Sequence, residues 1–373
     1  MHKARQPGPL AGLRVLDASG EEGAYAGKLF ADMGADVTRL APSPTAPGAA
    51  DIFLNLGKTR LIAEPDTREG IDLFCSRLRE VDIVIESFRP GLLETFGLSR
   101  AELMRQLPEL IWAKISPFGT EGPYKAFRST DLTNMALGGM LTLAGYPDRE
   151  PVLAYGNQSH TIASLYCGVG VLIAYYERLT SAKGQYIEIP IQHAVATALE
   201  NSIQFHDLQK VVRKRIGAGY AEAASGLFNC RDGSVFLMAG RLSTVRGWKA
   251  LVEWLIEAGA PGSEELAKPA WQDPAWKATP EATKRFETIF TEFAQDKLKQ
   301  DLYIEAQRRG IAMCPVNDVD GALNDPQLIE REFFQEVRIG PDGAPMLLPG
   351  PPYRLSRTPA SLATKVPEFN NDA

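Results

Sequence analysis

The chain has 373 residues, 45% of them hydrophobic and 23% charged, a balance typical of a folded protein with two domains or one large domain carrying an insertion. Its formal net charge of −6 argues against a nucleic-acid-binding surface, so an anionic ligand would have to meet a local group of Lys and Arg side chains. The four cysteines include no CxxC pair, which argues against a zinc site and against a disulfide framework.

No membrane or secretory segment is predicted. The stretch MHKARQPGPLAGLRVLD has no apolar run before Leu13. The longest apolar run, from Tyr166 to Tyr176, is far shorter than the roughly 20 residues that span a bilayer. Together with the scattered cysteines, these features predict a cytoplasmic protein that has neither a membrane nor a nucleic-acid partner and binds no metal.

Strands and helices are predicted to alternate in the N-terminal part of the chain. The strands are expected in LRVLDAS, DVTRLA, DIVIES and LIWAKIS, and the helices in GEEGAYAGKLFADMGA, TREGIDLFCSRLREV and RAELMRQLPE. This alternation predicts a parallel sheet in a doubly wound domain, whose ligands bind beyond the carboxyl ends of the strands. Those ends fall at residues 18–22, 41–44, 87–91 and 116–122.

The middle of the chain is predicted to begin with a loop and a long apolar helix, and His160 lies where the two meet. A strand and another long helix are expected in GQYIEIPIQHAVATALENSIQFHDLQ, followed by a Gly/Ala-rich linker at 211–226. LFNCRDGSVFLMAG predicts a hairpin that turns at Arg231–Gly233. Helical segments are expected to about Gly310, and extended structure from Asn324 onward.

Several stretches, in order along nearly the whole chain, resemble the family III CoA-transferases, which include formyl-CoA and carnitine CoA-transferases and α-methylacyl-CoA racemase. They are PLAGLRVLD, VDIVIESFRPGLLETFGLS, PELIWAKISPFGTEGPY, RLTSAKGQYIEIPI and LFNCRDGSVFL. The resemblance implies an α/β fold with a large Rossmann-like parallel-sheet domain built from both termini, a smaller middle domain and an interlocked dimer. The implied limits are 1–210 with 325–373 for the large domain, 211–226 for a linker and 227–324 for the small domain. The Gly217–Gly226 segment would thread around the partner, or it is an ordinary flexible loop.

The resemblance also implies a binding loop for coenzyme A. In the family the FRPG loop, here Phe88, Arg89, Pro90 and Gly91 preceded by Ser87, holds the pantetheine and nearby phosphates. A Gly-assisted turn exposes backbone N–H groups, and an Arg side chain adds a fixed positive charge for a phosphate. The alternative is a plain strand–helix turn in which Pro and Gly are only turn formers.

Two further stretches are candidates for CoA contact. NLGKTR resembles a basic family motif, so Lys58, with Arg39 at the end of a neighbouring strand, is a candidate partner for the nucleotide phosphates. Gly119 in ISPFGTEGPY would allow close backbone approach near the thioester end of CoA, or it belongs to a tight turn that packs Phe118 and Tyr124. CoA and acyl-CoA are expected as substrates, with no tightly bound cofactor.

His160 stands where the family carries its nucleophile. That nucleophile is an aspartate, whose carboxylate attacks the donor acyl-CoA to form a mixed anhydride and then carries CoA as a thioester. Counting back from Gly184 and Arg178 places His160 at its position. An imidazole has no carboxyl carbon and cannot carry CoA in this way. The racemase histidine is missing as well, because its place before Asp131 is taken by Thr130.

Three hypotheses follow, besides a His160 that merely caps or packs the helix. The first, which we favour, is a subunit of an acyl-CoA:carboxylic acid CoA-transferase that lacks its own nucleophile and pairs with an Asp-bearing homologous subunit, as in benzylsuccinate-type enzymes. The second is a homodimer in which His160 is the general base of an acyl-CoA isomerase, lyase or hydratase. The third is a non-catalytic CoA-binding scaffold.

Overall fold

A computed structural model describes residues 7–42, 48–217, 222–240, 245–338, 345–362 and 369–370. The chain packs as two compact units. The first comprises Met1–Leu141, Leu153–Val212 and Pro326–Ala373, and the second Thr142–Val152 and Arg213–Asp325. The domain limits implied by the family resemblance stay a prediction.

The described residues contain strands, α-helices and short 3-10 turns. The strands are β1 (Arg14–Ala18), β2 (Asp36–Ala41), β3 (Thr59–Ile62), β4 (Ile83–Glu86), β5 (Ile111–Ser116), β6 (Tyr186–Pro190), β7 (Ser225–Cys230), β8 (Gly233–Met238), β9 (Met313–Pro315), β10 (Phe334–Arg338), β11 (Pro345–Pro349) and β12 (Phe369–Asn370). The α-helices are α1 (Ala24–Asp32), α2 (Ala49–Asn55), α3 (Arg68–Arg77), α4 (Leu92–Thr95), α5 (Arg100–Gln106), α6 (Asp131–Leu137), α7 (Gln158–Ser181), α8 (Ile191–Thr197), α9 (Ser202–Gln209), α10 (Val245–Glu257), α11 (Pro274–Lys277), α12 (Pro280–Ala294), α13 (Lys299–Arg309), α14 (Val319–Leu323) and α15 (Pro326–Glu330). The 3-10 turns are Leu78–Glu80, Leu141–Leu143, Ser263–Ala267 and Pro269–Gln272.

A parallel seven-stranded sheet forms the centre of the first unit, in the order β12-β3-β2-β1-β4-β5-β6. The two-residue β12 comes from the C-terminal end of the chain and pairs with β3, so both ends of the sequence contribute to this sheet. These findings confirm the predicted α/β class and its parallel sheet. The strand order reverses between β1 and β4, and the carboxyl ends at such a reversal are the usual ligand site of a doubly wound fold.

Both faces of this sheet are covered by helices, which explains its continuous apolar strands. Because side chains alternate along a strand, Val15 packs on one face and Leu16 on the other. The first face packs against residues of α1 and α7, including Phe30 and Cys167, while the second packs against α3, including Phe74.

The second unit has its own sheet and core. Strands β7 and β8 form the predicted hairpin, whose turn is Arg231 and Asp232 with Gly233 as the first residue of β8, and β9 adds an antiparallel third strand. The apolar face of α12, with Phe286 and Phe290, packs against Phe228 of β7. The helical segments predicted to end near Gly310 are confirmed as helices that end at Arg309.

Two predictions about the chain course are wrong. The long helix expected after β6 is divided into α8 and α9, because the backbone at Glu200 has φ of 51°, outside the helical region. The segment after Asn324 is not simply extended, since it contains α15 and the antiparallel hairpin β10–β11. Residues 218–221 of the predicted linker lie outside the described residues. No helix of the described ranges is long and apolar enough to cross a membrane.

Candidate functional site

Three segments meet where the strand order reverses. The backbone N–H of Gly20, after β1, donates to Ser87 Oγ, after β4, at 2.7 Å. Ser87 Oγ also lies 3.3 Å from Glu22 Oε2, and Ser164 Oγ of α7 donates to the Glu22 carbonyl oxygen at 3.2 Å. A Cβ at Gly20 would lie 2.4 Å from Glu22 Oε2, so a side chain there would displace the Glu22 carboxylate. The first part of α7 is thereby held beside the loops that follow β1 and β4.

The FRPG loop lines a cavity of about 450 Å³. Gly91 has φ of 79°, a left-handed conformation that glycine adopts without steric cost, and it precedes α4. The structure brings together four of the predicted residues, because Phe88, Arg89, Pro90 and Gly91 all line the cavity. Its remaining lining residues are Glu86, Leu92, Leu93, Glu94, Arg100, Lys114, Thr120, Lys125 and Ala126.

Three cations of this cavity have no carboxylate partner within the described residues: Arg89, Arg100 and Lys125. The guanidinium of Arg100 lies 3.5 Å from the centre of the Tyr186 ring, and this stacking fixes its position. Burial raises the pKa of Tyr186 to about 12, so its hydroxyl stays neutral beside Arg100. Sequence reasoning missed Arg100 and Lys125. The only feature of the sequence that pointed to them was their position close to the family motifs.

Lys58 and Arg39 lie outside the cavity lined by the FRPG loop. Both bind the buried carboxylate of Asp17, with distances to its Oδ2 of 2.7 Å from Lys58 Nζ and 3.1 Å from Arg39 Nη1. Lys58 Nζ also donates to the Ala24 carbonyl oxygen at 2.8 Å. Burial lowers the pKa of Lys58 to about 8, against the opposing charge of Asp17. Neither cation lines the cavity, and their predicted contact with phosphates remains untested.

Gly119 lies at the turn that follows β5. Its φ is 92°, and its N–H donates to Ser116 Oγ at 3.1 Å. A Cβ there would lie 3.3 Å from Glu188 Oε1, so a side chain would be both strained and crowded. The Phe118 and Tyr124 rings pack edge to face, 5.8 Å apart, as the tight-turn alternative predicts. The proposed CoA contact of Gly119 remains a prediction.

The N-terminus of helix α7 is capped by a side chain of another helix, α6. Its N-cap residue, Asn157, makes no side-chain cap, but Asp131 Oδ1 accepts hydrogen bonds from the N–H and the hydroxyl of Ser159, each at 2.7 Å. The first turn of α7 contains His160 and no acidic residue. The Nδ1 atom of His160 and the Oδ2 atom of Asp131 are both buried and have no hydrogen-bond partner among the residues that the structure describes.

The comparisons with known proteins agree with these features. The model of CoA-transferase family III matches residues 10–373. The chain belongs to this family. A similar curated relative is succinyl-CoA:(R)-benzylsuccinate CoA-transferase subunit BbsE of Thauera aromatica, 33% identical over 95% of this chain and 90% of the relative. The succinyl-CoA–L-malate CoA-transferase alpha subunit of Chloroflexus aurantiacus is 29% identical over 97% of this chain and 86% of its own length.

The fold also matches that of a solved structure. A solved CAIB/BAIF family protein from Brucella suis has a TM-score of 0.83 with this chain and 26% sequence identity, covering 98% of this chain and 97% of its own. Family III membership identifies the chain as a CoA-transferase, and CoA thioesters are the substrates of such enzymes. No group of three or more His, Cys, Asp or Glu side chains that could hold a metal occurs among the residues the structure describes.

Proposed function

We propose that this chain is a subunit of a family III CoA-transferase which binds acyl-CoA but lacks the carboxylate that carries CoA during transfer. The observation that carries the proposal is the first turn of α7, which has His160 and no acidic residue. A carboxylate carbon is needed to form both the mixed anhydride and the enzyme thioester, and imidazole has none. The carboxylate must then come from a second chain, an Asp-bearing homologous subunit.

Relatives named as subunits support this pairing. The benzylsuccinate relative is named a subunit, and the L-malate relatives are named alpha and beta subunits. These names also support succinyl-CoA as the donor and a dicarboxylic acid as the acceptor. The unpaired thiols of the chain are compatible with action in the cytoplasm.

An apolar stripe on α7 supports association with a second chain. We define the α7 stripe as Leu165, Val169, Ile173 and Tyr176, which recur at helical spacing and are all exposed, Ile173 to 64%. Contiguous exposed apolar surface of this kind marks an interaction site. We propose that the Asp-bearing subunit covers it in an interlocked dimer.

The geometry also supports a place for the acyl-CoA. We propose that Arg89, Arg100 and Lys125 contact its phosphates and that the FRPG backbone contacts its pantetheine, because these cations line one cavity and have no carboxylate partner in the described part of the chain. Charge-assisted bonds from Arg to phosphate are among the strongest hydrogen bonds available to a protein.

Co-expression tests the proposal. The chain is produced alone and together with an Asp-bearing family III subunit, and native mass and transfer of CoA from succinyl-CoA to benzylsuccinate and L-malate are measured. We expect a stable hetero-oligomer that is active, no activity from this chain alone, and a CoA thioester only on the aspartate of the other subunit. An active homo-oligomer of this chain, or a hetero-oligomer that never forms, would contradict it.

A second candidate function is favoured by Asp131. Its Oδ1 binds Ser159, the residue before His160, and no hydrogen bond among the described residues joins its Oδ2 to the Nδ1 of His160. A carboxylate that orients an imidazole is the usual support of a histidine base. In this alternative a homodimer uses His160 as the base of an acyl-CoA isomerase, lyase or hydratase.

A further inference from the structure

A buried ion pair lies directly beneath the FRPG loop. The Glu86 carboxylate, at the end of β4, accepts the backbone N–H of Phe88 at 2.7 Å. The Lys114 ammonium, on the neighbouring β5, donates to the Phe88 carbonyl oxygen at 2.8 Å. The two side chains also bind each other, with Lys114 Nζ 3.1 and 3.2 Å from the two carboxylate oxygens. The backbone N–H of Phe88 is therefore bound by the negative member of this ion pair and its carbonyl oxygen by the positive member.

Every hydrogen bond of Lys114 within the described residues belongs to this network. Its ammonium has three N–H donors, and it makes three bonds, two to Glu86 and one to Phe88. The Trp112 indole N–H adds a bond of 3.3 Å to Glu86 Oε1. Glu86 is 2% and Lys114 5% exposed, although both line the cavity. A buried ion pair is weak evidence for stability, so its bonds to the loop backbone invite another explanation.

We propose that Glu86 and Lys114 are positioning residues that fix the FRPG loop in the conformation that binds acyl-CoA. They hold the backbone just before Arg89, Pro90 and Gly91, and a loop already ordered before binding loses less conformational entropy when the ligand arrives. This inference rests on the proposed function, because it assigns the cavity to acyl-CoA. In this role Lys114 makes no direct contact with phosphate, although its side chain is one of those that line the cavity.

The test removes both charges together, since removing one leaves the other buried and unpaired. The variant Glu86→Gln/Lys114→Met is prepared in the co-expressed complex, and CoA binding is measured by calorimetry at several salt concentrations. We expect the Kd for CoA to rise roughly 10- to 100-fold, the range of charge-assisted hydrogen bonds. The slope of log Kd against log salt should stay as in the wild type, because Arg89, Arg100 and Lys125 are unchanged.

A matched control removes an exposed ion pair from the adjoining helix α5. Arg105 and Glu102 form this pair, and neither lines the cavity. We expect Glu102→Gln/Arg105→Met to leave the Kd unchanged. If the buried double variant does not fold, Glu86→Gln/Lys114→Gln serves instead, because it removes both charges while each amide can still bond to the Phe88 backbone. We expect its Kd to rise about 3- to 10-fold with the salt slope unchanged.

Each outcome decides between the two proposals. A wild-type complex that binds no CoA would refute the assignment of the cavity, and the inference with it. Wild-type affinity in a folded variant lacking the pair would refute the positioning role alone. A weaker variant with a shallower salt dependence would show that Lys114 binds phosphate directly, and this too would overturn the inference.

Discussion

Asp131 of α6 caps α7 by accepting two hydrogen bonds from Ser159, through the N–H and the hydroxyl, each at 2.7 Å. The partner of a helix N-terminus is usually the N-cap side chain, but Asn157 does not fill that role here. Because Ser159 immediately precedes His160, this contact fixes the residue that we predict to occupy the family's nucleophile position.

Loss of this cap should destabilise the chain. Asp131→Ala removes a buried carboxylate that makes two charge-assisted hydrogen bonds, so we expect the free energy of unfolding to fall by about 2–3 kcal/mol. The measurement is urea denaturation followed by circular dichroism. Asp207→Ala on α9 is the control, because Asp207 is exposed, and we expect it to change stability by less than about 0.5 kcal/mol. Equal effects of the two changes would contradict the cap.

His160→Ala separates the two candidate functions. If an aspartate of a second subunit carries CoA, the variant complex should transfer CoA at nearly the wild-type rate. A general base at this position would instead lose about 10²–10⁴-fold in rate. His193→Ala on α8 is the control for loss of a histidine outside the site. A large loss of CoA transfer specific to His160→Ala would rule out the proposed non-nucleophilic role.

The cations of the cavity should determine CoA affinity. We expect Arg89→Ala and Arg100→Ala each to weaken CoA binding by about 1.5–3 kcal/mol, the range of hydrogen bonds to charged groups. Arg105→Ala, on the same helix as Arg100 but paired with Glu102, should leave affinity unchanged. Calorimetry on the co-expressed complex measures all three. Unchanged affinity in both cavity variants would place CoA elsewhere.

The α7 stripe should be required for association. Val169→Lys/Ile173→Lys places two charges on the proposed contact surface, where burying an unpaired charge is costly. We expect sedimentation velocity at micromolar concentration to show dissociated chains for this variant and an oligomer for the wild type. Val319→Lys, an exposed apolar position in the second unit, is the control. A wild-type complex that sediments as monomers would exclude the interlocked architecture.

The buried Asp17 should contribute to acid sensitivity. Burial raises the pKa of Asp17, but the positive charges of Lys58 and Arg39 lower it by more than burial raises it. The pKa of Asp17 in the folded chain therefore lies below its usual value of 3.8. The unfolded state therefore binds more protons, and this contribution to stability is present above pH 3.8 and lost as the pH falls through the folded pKa. Asp17→Asn/Lys58→Met should lose less stability than the wild type between pH 5 and 3, measured by urea midpoints. An equal loss of stability in the variant and the wild type would contradict the role of Asp17 in acid sensitivity.

Local sequence predicts the elements better than it predicts the site. A continuous apolar run such as LIWAKIS predicts its own buried strand, here β5, and the alternation of such runs with helices predicts the parallel sheet. The environment of Lys58 could not be predicted, because its partner Asp17 is 41 residues away and only the pairing of β1, β2 and β3 brings them together. Arg100 was missed for the same reason, since its stacking on Tyr186 depends on tertiary packing.

The position of His160 illustrates the opposite case. Its place at the start of a long helix follows from the sequence alone, and α7 begins at Gln158. What sequence could not reveal is Asp131, which lies 28 residues before Ser159 and reaches it only because α6 packs against α7. Motif comparison treats Asp131 only as the residue beside a missing histidine, whereas hydrogen bonding shows what it holds.

The strand at the C-terminal end of the chain has a consequence for biosynthesis. Phe369 and Asn370 pair with Arg60 and Leu61, which gives the outer edge of β3 its neighbour. An unpaired strand edge exposes backbone groups that another chain can join. At translation rates of about 5–20 residues per second, the roughly 300 residues made after β3 leave that edge open for about 15–60 s. The nascent chain must therefore avoid aggregation over this interval, and a chain truncated before Phe369 would keep the edge open permanently.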